Sequence, residues 1–251
     1  MNISDNTMLI TGATSGIGRA LAEAFHARGN QVIITGRRQA LLDEITTANP
    51  GMAGFRLDIH NDALLASLGA QIRSRFPELN VVIANAGISR AEDLVDDDWN
   101  ADAADEVVRT NILGTLRTAA AFLPLIKRQP DATFMATSSA LAFVPRADFP
   151  TYCASKAFLH SWLVSLRHQL RHIPVEVLEL SPPYVQTELT GSAQIADPRA
   201  MPLAKYIARV MTLIEHHQHP NGEILLAGDK ARRWAEKEGT FDTLFHAMNP
   251  D

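Results

Sequence analysis

The regular alternation of short apolar runs with longer amphipathic segments most constrains how this chain can fold. The run "TMLIT", residues 7–11, predicts a buried strand, and "IGRALAEAFHARG", residues 17–29, predicts a helix that ends at Gly29. Apolar strands separated by helices form right-handed βαβ units, in which helices cover both faces of a parallel sheet. The same patterns predict further strands at 31–36, 53–58, 80–87, 132–139, 174–181 and 222–228, and further helices at 38–48, 61–76, 99–128, 153–172 and 200–217.

This alternation contains no linker and no internal repeat, and a hydrophobic content of 46% is sufficient for a large core. We therefore predict an α/β fold. It is a single doubly wound Rossmann-type domain over residues 1–251, with a seven-stranded parallel sheet.

Charge and composition exclude several classes of function. A net charge of −5 provides no basic surface for nucleic acid. The single cysteine, Cys153, excludes an internal disulfide and suits a reducing compartment. No segment approaches the roughly 20 apolar residues of a membrane span, and the N-terminus lacks the pattern of a signal peptide. We expect a cytoplasmic protein without membrane or nucleic-acid partners, and no metal site.

Glycine and polar residues collect directly after the predicted strands. In a doubly wound sheet, ligands bind at the carboxyl ends of the strands, close to the point where the strand order reverses. These positions therefore outline a candidate site, which comprises residues 11–18, 36–38, 58, 85–87, 138–139 and 181–187.

The stretch "TGATSGIG", residues 11–18, joins the first strand to the first helix. Gly12, Gly16 and Gly18 permit a sharp turn and a close approach of backbone amides to a ligand. The helix N-terminus adds a positive partial charge that suits a pyrophosphate. The alternative is a structural turn without a ligand.

The stretch "TYCASK", residues 151–156, places Tyr152 and Lys156 four positions apart, on one face of a helix. A free tyrosine, with a pKa of about 10, is a poor proton shuttle at neutral pH. A nearby ammonium favours the phenolate, so we expect Lys156 to lower the pKa of Tyr152. The alternative is an ordinary surface pair.

Taken together, these motifs resemble the short-chain dehydrogenase/reductase family, in its compact branch of about 250 residues. The resemblance extends from Thr7 to about Gly228. It includes the Thr-Gly-x-x-x-Gly-Ile-Gly turn, the Asn-Ala-Gly of residues 85–87, and a Ser-x₁₂-Tyr-x₃-Lys arrangement. It implies an oxidoreductase that interconverts a carbonyl and a secondary alcohol by hydride transfer with NAD(P).

The resemblance also implies roles for individual residues. Ser139 would hold the substrate oxygen beside Tyr152, and Asn111 would hold a water that links Lys156 to solvent for proton relay. Asn85 would tie strands together, and Asp58 would contact the adenine, although an N-cap for the helix at 61–76 is an alternative for Asp58. The implied catalytic residues are Asn111, Ser139, Tyr152 and Lys156, and the implied cofactor-binding residues are Gly12, Thr14, Ser15, Gly16, Ile17, Gly18, Arg37, Arg38, Asp58, Asn85, Ala86, Gly87, Tyr152, Lys156, Val185 and Thr187.

The end of the second strand bears on the choice of cofactor. An acidic residue there binds a free ribose 2′-hydroxyl, whereas an arginine binds a 2′-phosphate. The sequence at this point is Gly36-Arg37-Arg38, without an acid. It favours NADP(H), with Arg37 as the first candidate contact and Arg38 as the second. NAD(H) stays possible if both arginines are solvated residues at a helix start.

One position departs from the family pattern. Pro183 replaces the glycine of Pro-Gly-x-x-x-Thr, and proline excludes a glycine-only conformation, so the shape of this loop is open. Val185 would still pack on the nicotinamide, and Thr187 would still contact its carboxamide.

The irregular segment 188–204 resembles the family's substrate lid. We expect it to line the substrate site together with residues 140–149. Four apolar side chains of that second segment then argue for a partly apolar carbonyl or alcohol substrate: Leu141, Phe143, Val144 and Phe149.

Residues 230–251 form a C-terminal helical extension with two amphipathic patterns around Gly239. The family often dimerises through the long helices, which implies a homodimer or homotetramer. The main alternative function is a dinucleotide-sensing protein that kept the fold and lost turnover. A sugar-nucleotide epimerase would need a longer chain.

Overall fold

The apolar runs of the sequence form seven strands in the computed structural model, which describes residues 1–250. The strands pair in the order β3-β2-β1-β4-β5-β6-β7, and every pairing is parallel. The strand order therefore reverses between β1 and β4. The strands are β1 Thr7–Thr11, β2 Gln31–Gly36, β3 Ala53–Arg56, β4 Leu79–Ala84, β5 Ala132–Thr137, β6 Val175–Ser181 and β7 Glu223–Leu225.

Helices connect the strands and cover both faces of the sheet. Six of them are long: α1 Gly16–His26, α2 Gln39–Ala48, α3 Asp62–Arg75, α5 Gly114–Ile126, α6 Pro150–Gln169 and α8 Leu203–Glu215. The shorter ones are α4 Asp102–Val107, α7 Ala193–Ala196, α9 Lys230–Arg233, α10 Ala235–Glu238 and α11 Phe241–Met248. The predicted α/β fold with a seven-stranded parallel sheet is confirmed.

Alternate residues of each strand contribute to two separate cores. In β1, Met8 and Ile10 pack with α1, α2 and α8, whereas Leu9 packs with α3, α5 and α6 on the opposite face. Because both faces are covered, the strand is apolar throughout and does not alternate between apolar and polar residues.

Several predicted strands are longer than the observed ones. The predicted strands 80–87, 132–139 and 222–228 end at Ala84, Thr137 and Leu225. In the first two cases the remaining residues leave the ladder and form the edge of a cleft. Their composition is compatible with a strand, so periodicity alone could not locate the exit point.

The predicted long helix at 99–128 consists of three pieces. Between α4 and α5, residues Val108–Leu113 form a π-helical turn. The catalytic candidate Asn111 lies in this turn, and such turns mark an interrupted hydrogen-bond ladder. The predicted helix at 153–172 instead begins earlier, because Pro150 occupies its first turn, where proline needs no amide partner.

The two segments outside the regular alternation are partly ordered into helices. In the segment 188–204, α7 is followed by a bridge between Val185 and Met201. In the C-terminal extension, α10 ends at Gly239, which has a φ of 67°. Among residues 1–250, no helix combines the length and the hydropathy that a membrane crossing requires.

Candidate active site

The carboxyl ends of the strands surround a cleft of about 480 Å³ at the point where the strand order reverses. Every residue that the sequence assigned to cofactor binding lines this cleft, as does Ser139. Asn111 lies behind the cleft wall and is fully buried. The sequence did not single out several further lining residues, among them His60 and Arg90, whereas Gln194 belongs to the expected lid at 188–204.

The glycine turn packs against the loop that follows β4. Gly12 and Gly16 have φ values of 64° and 55°, which favour glycine. A Cβ added to Gly12 would lie 2.6 Å from the Cα of Ala86, so no other residue fits there without a shift of the backbone. This contact brings the ends of β1 and β4 together across the switch point.

The N-terminus of α1 suits a phosphate group. Its N-cap, Ser15, makes no side-chain capping bond, and the first turn contains no acidic residue. First-turn amides have no acceptor within their own helix, and the helix dipole is positive at this end. The residues present therefore fit the pyrophosphate of a dinucleotide.

Asn85 holds the ends of three strands together. Its Nδ2 donates to the carbonyl oxygens of Thr11 at 3.2 Å and Gly12 at 3.3 Å, and its Oδ1 accepts from Thr137 Oγ1 at 3.2 Å. These contacts give Asn85 the geometry of a structural tie between β1, β4 and β5.

Arg38 crosses the mouth of the cleft toward the glycine turn. Its Nη2 donates to Thr14 Oγ1 at 3.0 Å and to Ser15 Oγ at 2.9 Å. Arg37 is exposed and also lines the cleft. Neither guanidinium has a carboxylate partner within residues 1–250, so both positive charges are available to an anion.

Asp58 does not cap the helix that follows it. The N-cap of α3 is Asn61, whose Oδ1 accepts from Leu64 N at 3.0 Å, so the alternative role considered for Asp58 is wrong. Asp58 Oδ1 instead accepts from His60 N at 2.9 Å and lines the cleft.

Tyr152 and Lys156 lie at the inner end of the cleft on α6. Both side chains are buried, with 7% and 4% of their surface exposed. Lys156 Nζ lies 5.5 Å from the centroid of the Tyr152 ring and donates to the carbonyl oxygen of Thr137 at 2.8 Å. The alternative of an ordinary surface pair does not fit this burial.

Burial shifts both pKa values toward the neutral forms. Desolvation raises the pKa of Tyr152 to about 12, although a hydrogen bond with Ser139 acts in the opposite direction. Desolvation also lowers the pKa of Lys156 to about 8. Burial therefore dominates the pKa of Tyr152 in the protein alone and raises it, contrary to the expectation of a lowered value.

The start of α6 is held by a residue that the sequence did not suggest. Glu92 Oε1 accepts from Thr151 N at 3.1 Å, and its Oε2 accepts from Thr151 Oγ1 at 3.0 Å. A carboxylate at a helix N-terminus is also favoured by the dipole. Because Tyr152 follows Thr151 directly, this clamp limits the movement of the phenol.

Asn111 connects the loop after β4 to α6. Its Oδ1 accepts from Ile88 N at 2.9 Å, and its Nδ2 donates to Ser155 Oγ at 2.9 Å. Ser155 Oγ in turn donates to the carbonyl oxygen of Tyr152 at 2.7 Å. The amide group of Asn111 thereby supports the backbone at the tyrosine.

The loop that contains Pro183 needs no glycine conformation. Within the described chain, no residue of 181–187 has a positive φ, so proline fits. The carbonyl oxygen of Pro182 accepts from Ala140 N at 3.0 Å. Beyond this loop, Gln194 Nε2 donates to Val185 O at 2.6 Å and to Thr187 Oγ1 at 3.3 Å, and so attaches α7 to the predicted nicotinamide-binding residues.

Residues 140–149 are oriented differently from the expectation. Val144 is fully buried, and Phe143 faces His160 and Arg233 rather than the cleft. Leu141 and Phe149 pack near Tyr152. None of these four side chains is part of the cleft wall: Val144 belongs to the interior, Phe143 is half-buried, and the other two pack near Tyr152.

The comparison with known families matches this geometry. Residues 6–197 match the model of the short chain dehydrogenase family. The chain belongs to this family of short-chain dehydrogenases/reductases and is an NAD(P)-dependent oxidoreductase.

Relatives and solved structures agree with this membership. The chain is 38% identical over 194 residues to the uncharacterized oxidoreductase DltE of Bacillus subtilis, and the match covers 77% of both chains. It is 34% identical over 204 residues to an uncharacterized oxidoreductase of Myxococcus xanthus, with 79% of both chains covered. A short chain dehydrogenase from Burkholderia cenocepacia, solved in complex with NADP, shares the fold with a TM-score of 0.82, 24% identity and full coverage of both chains.

Proposed function

We propose that this oxidoreductase interconverts a carbonyl compound and a secondary alcohol, that it prefers NADP(H), and that Ser139, Tyr152, Lys156 and Asn111 move the proton. The observation that carries the proposal is the buried Tyr152–Lys156 pair at the inner end of a cleft that begins at an uncapped helix N-terminus. A cofactor whose pyrophosphate lies at that helix could extend toward the phenol.

The cofactor, when bound, supplies the hydride, and its oxidised ring carries a positive charge. The remaining chemistry belongs to side chains of this protein. Ser139 Oγ and the Tyr152 hydroxyl donate hydrogen bonds to the carbonyl oxygen and stabilise the charge that develops on it. Tyr152 then gives its proton to that oxygen.

Lys156 stabilises the phenolate that this transfer leaves on Tyr152. A pKa of about 8 keeps most of the ammonium protonated at neutral pH. In the oxidation direction, the same charge favours the phenolate as the base.

Asn111 is proposed to hold a water through which Lys156 exchanges a proton with solvent. The closeness of both residues to Gly87 supports this role. A Cβ placed on Gly87 would lie 3.2 Å from Asn111 Oδ1 and 3.4 Å from Lys156 Nζ, so the two polar atoms lie on the same side of Gly87.

The preference for NADP(H) rests on the two arginines at the end of β2. Arg38 is oriented toward Thr14 and Ser15, and Arg37 lines the cleft beside it. Position 36 also has no room for the acid that would select NAD(H), because a Cβ on Gly36 would lie 2.5 Å from Thr14 Cγ2. Both arginines are proposed to bind the 2′-phosphate.

The substrate is proposed to be partly apolar and small enough to enter beside the lid at 188–204. Ile88, Pro183 and Leu189 line the same cleft as Ser139 and Tyr152 and support this proposal. These three residues, rather than the apolar side chains of 140–149 that the sequence suggested, would contact the apolar part of the substrate.

Residues 1–251 are proposed to act as one cytoplasmic dinucleotide-binding domain that assembles into a homodimer or homotetramer. Exposed apolar side chains on α6, including Phe158 and Val164, support an interface there. Sedimentation that shows a monomer at micromolar concentration would contradict the assembly.

The catalytic proposal is tested with a panel of aldehydes, ketones and secondary alcohols, followed at the nicotinamide absorbance with both cofactors. We expect Tyr152→Phe to lower kcat by about 10²- to 10⁴-fold. The matched control is Tyr206→Phe, because the Tyr206 hydroxyl is buried without a hydrogen-bond partner in the described residues and lies outside the cleft wall. Equal turnover by wild type and Tyr152→Phe would reject the mechanism, whereas cofactor binding by wild type without turnover of any compound would favour a sensor.

A further inference from the structure

The side chain of Glu179, on the strand β6 beside the edge strand β7, is a fully buried carboxylate. Its Oε2 lies 2.8 Å from His160 Nδ1. Its Oε1 accepts from Ser138 Oγ at 2.5 Å and from Ser181 Oγ at 3.2 Å. A buried carboxylate is costly unless it is fully hydrogen-bonded, and here both oxygens have partners.

Each partner of Glu179 adjoins a different part of the catalytic site. His160 lies one helical turn after Lys156 on α6, four residues along the chain. Ser138 directly precedes Ser139, and Ser181 directly precedes the Pro182–Pro183 loop. One carboxylate therefore connects the catalytic helix, the end of β5 and the loop after β6.

The surrounding charges keep this carboxylate ionised. Burial alone would raise the pKa of Glu179, but the hydrogen bond and charge of His160 and the bonds from Ser138 and Ser181 hold it below its usual value. The guanidinium groups of Arg167 and Arg233 are also close enough to interact with the carboxylate electrostatically.

A metal-binding role for the same cluster does not fit. Ligand atoms of His160, Glu179 and Glu223 lie within 4.8 Å of one another. However, Arg233 already donates to both oxygens of Glu223, at 2.8 Å each. A divalent cation would have to displace the Arg233 guanidinium from Glu223. It would also lie close to the positive charges of Arg167 and Arg233, which repel it.

We propose that Glu179 is a positioning residue for proton transfer, which holds Ser139 at its working distance from Tyr152 by binding Ser138 on one side and His160 on the other. The inference rests on the proposed function of Ser139 and Tyr152. The backbone of Ser138 is already held by β6, because Ser138 N donates to Leu180 O at 2.8 Å. Glu179 therefore acts on Ser138 through its side chain.

The first test compares two matched substitutions. Glu179→Gln removes the carboxylate charge and replaces one acceptor oxygen by a donor, so His160 can keep its bond only by accepting at Nδ1, without the attraction of the carboxylate. We expect kcat on the best substrate of the carbonyl panel to fall about 10- to 100-fold, because small misplacements of reacting groups have effects of this size. The control is Glu223→Gln. Glu223 lies beside Glu179 in the neighbouring strand β7, but its carboxylate binds Arg233.

For Glu223→Gln we expect kcat to stay within about twofold of wild type, even if its melting temperature falls as far as that of Glu179→Gln. A structural role alone predicts that kcat per folded enzyme is unchanged in both variants or reduced equally in both. Either of these outcomes would overturn the proposal.

The second test asks whether Glu179 acts through Ser139. In a Ser139→Ala background, Glu179→Gln should lower the remaining kcat by no more than about twofold, since the group that it positions is gone. If kcat of the double variant falls by the product of the two single-variant effects, the proposal is overturned. If Glu179→Gln does not fold, Ser138→Ala removes the hydroxyl that contacts Glu179 Oε1 and Ser181 Oγ, and it keeps the charge of Glu179. It should lower kcat about threefold or more in wild type and leave it unchanged in Ser139→Ala.

These outcomes separate the inference from the function on which it rests. Full activity of Ser139→Ala would reject the catalytic proposal for Ser139. A strong loss in Ser139→Ala, combined with an unchanged kcat in both Glu179→Gln and Ser138→Ala, would reject only the positioning role of Glu179.

Discussion

Lys156 Nζ lies 5.5 Å from the centroid of the Tyr152 ring, and the protein disfavours the charged form of both groups. Burial brings the two side chains to the inner end of the cleft, where water cannot stabilise an ammonium or a phenolate. The folded protein therefore carries a local instability at the site where the proposed proton transfer takes place, as functional sites often do.

This instability predicts a pH dependence of folding. Burial lowers the pKa of Lys156 from its usual 10.5 to about 8, so the unfolded chain binds more protons between these values. The free energy of unfolding then rises with pH, and the cost of the buried charge is fully present below about pH 8. We expect Lys156→Met to be more stable than wild type near neutral pH, by at most about 3 kcal/mol.

The advantage of Lys156→Met should shrink as the pH rises through 8, because wild-type Lys156 then loses its proton. Urea unfolding of both proteins at several pH values below 10 measures it and avoids the titration of Tyr152. Lys127→Met, which removes an exposed lysine at the end of α5, is the control and should show no such trend. A stability difference that does not vary with pH would contradict the burial argument.

Local sequence patterns predicted most of the fold and the residues at the strand ends that line the cleft. Apolar runs, amphipathic helices and glycine turns are encoded within a few neighbouring residues, and strand ends in a parallel sheet converge on one edge. This reasoning correctly placed Gly12, Asn85 and Ser139 around one cleft.

The contacts that lie outside such patterns were missed. Glu92 binds Thr151 from 59 residues away, and no periodicity links the two. Phe143 and Val144 were expected to face the substrate because they are apolar and lie in a loop. Phe143 instead packs against His160 and Arg233, which the fold brings to that loop from distant positions, and Val144 is fully buried.

The two arginines after β2 predict a measurable preference between cofactors. Arg37→Ala and Arg38→Ala should each raise the Kd of NADP(H) about 10-fold or more, because a charged hydrogen bond contributes about 1.5–3 kcal/mol. The Kd of NAD(H) should change less than about threefold, since it lacks the 2′-phosphate. Quenching of protein fluorescence during titration with each cofactor measures these values.

Arg28→Ala provides the control for removal of an arginine. Arg28 is exposed after α1 and donates to Ala24 O at 3.0 Å, away from the cleft wall. The Arg28→Ala variant should leave the Kd of NADP(H) and the Kd of NAD(H) unchanged. If neither Arg37→Ala nor Arg38→Ala weakens NADP(H) binding, the proposed preference is wrong.

Gly87 should be intolerant of a single methyl group. Its added Cβ would lie 3.2 Å from Asn111 Oδ1 and 3.4 Å from Lys156 Nζ, the two groups proposed to share the proton relay. We expect Gly87→Ala to lower kcat/KM about tenfold through displacement of these groups. In Gly228→Ala the new Cβ has no neighbour within 4 Å, so steady-state rates should match wild type. Equal rates in both variants would remove the support for a relay at this position.

The C-terminal extension holds the loop that precedes the catalytic helix. Asn249 Oδ1 accepts from Ala147 N at 2.7 Å, and its Nδ2 donates to Pro145 O at 3.1 Å. These bonds fix the backbone on both sides of Arg146, an exposed arginine that trypsin recognises. We expect Asn249→Ala to accelerate cleavage after Arg146 about tenfold, because two lost hydrogen bonds favour local opening.

Asn49→Ala is the matched control for this prediction. Asn49 and Asn249 both occupy the C-cap of a helix, and in each the side-chain Nδ2 donates to the carbonyl oxygen four residues earlier, at 2.8 Å. Asn249 alone of the two also contacts the loop. Limited trypsin digestion with mass spectrometry follows the fragment that ends at Arg146. Faster release from Asn249→Ala alone would assign the effect to the loop contacts, whereas equal release from both variants would assign it to the helix cap.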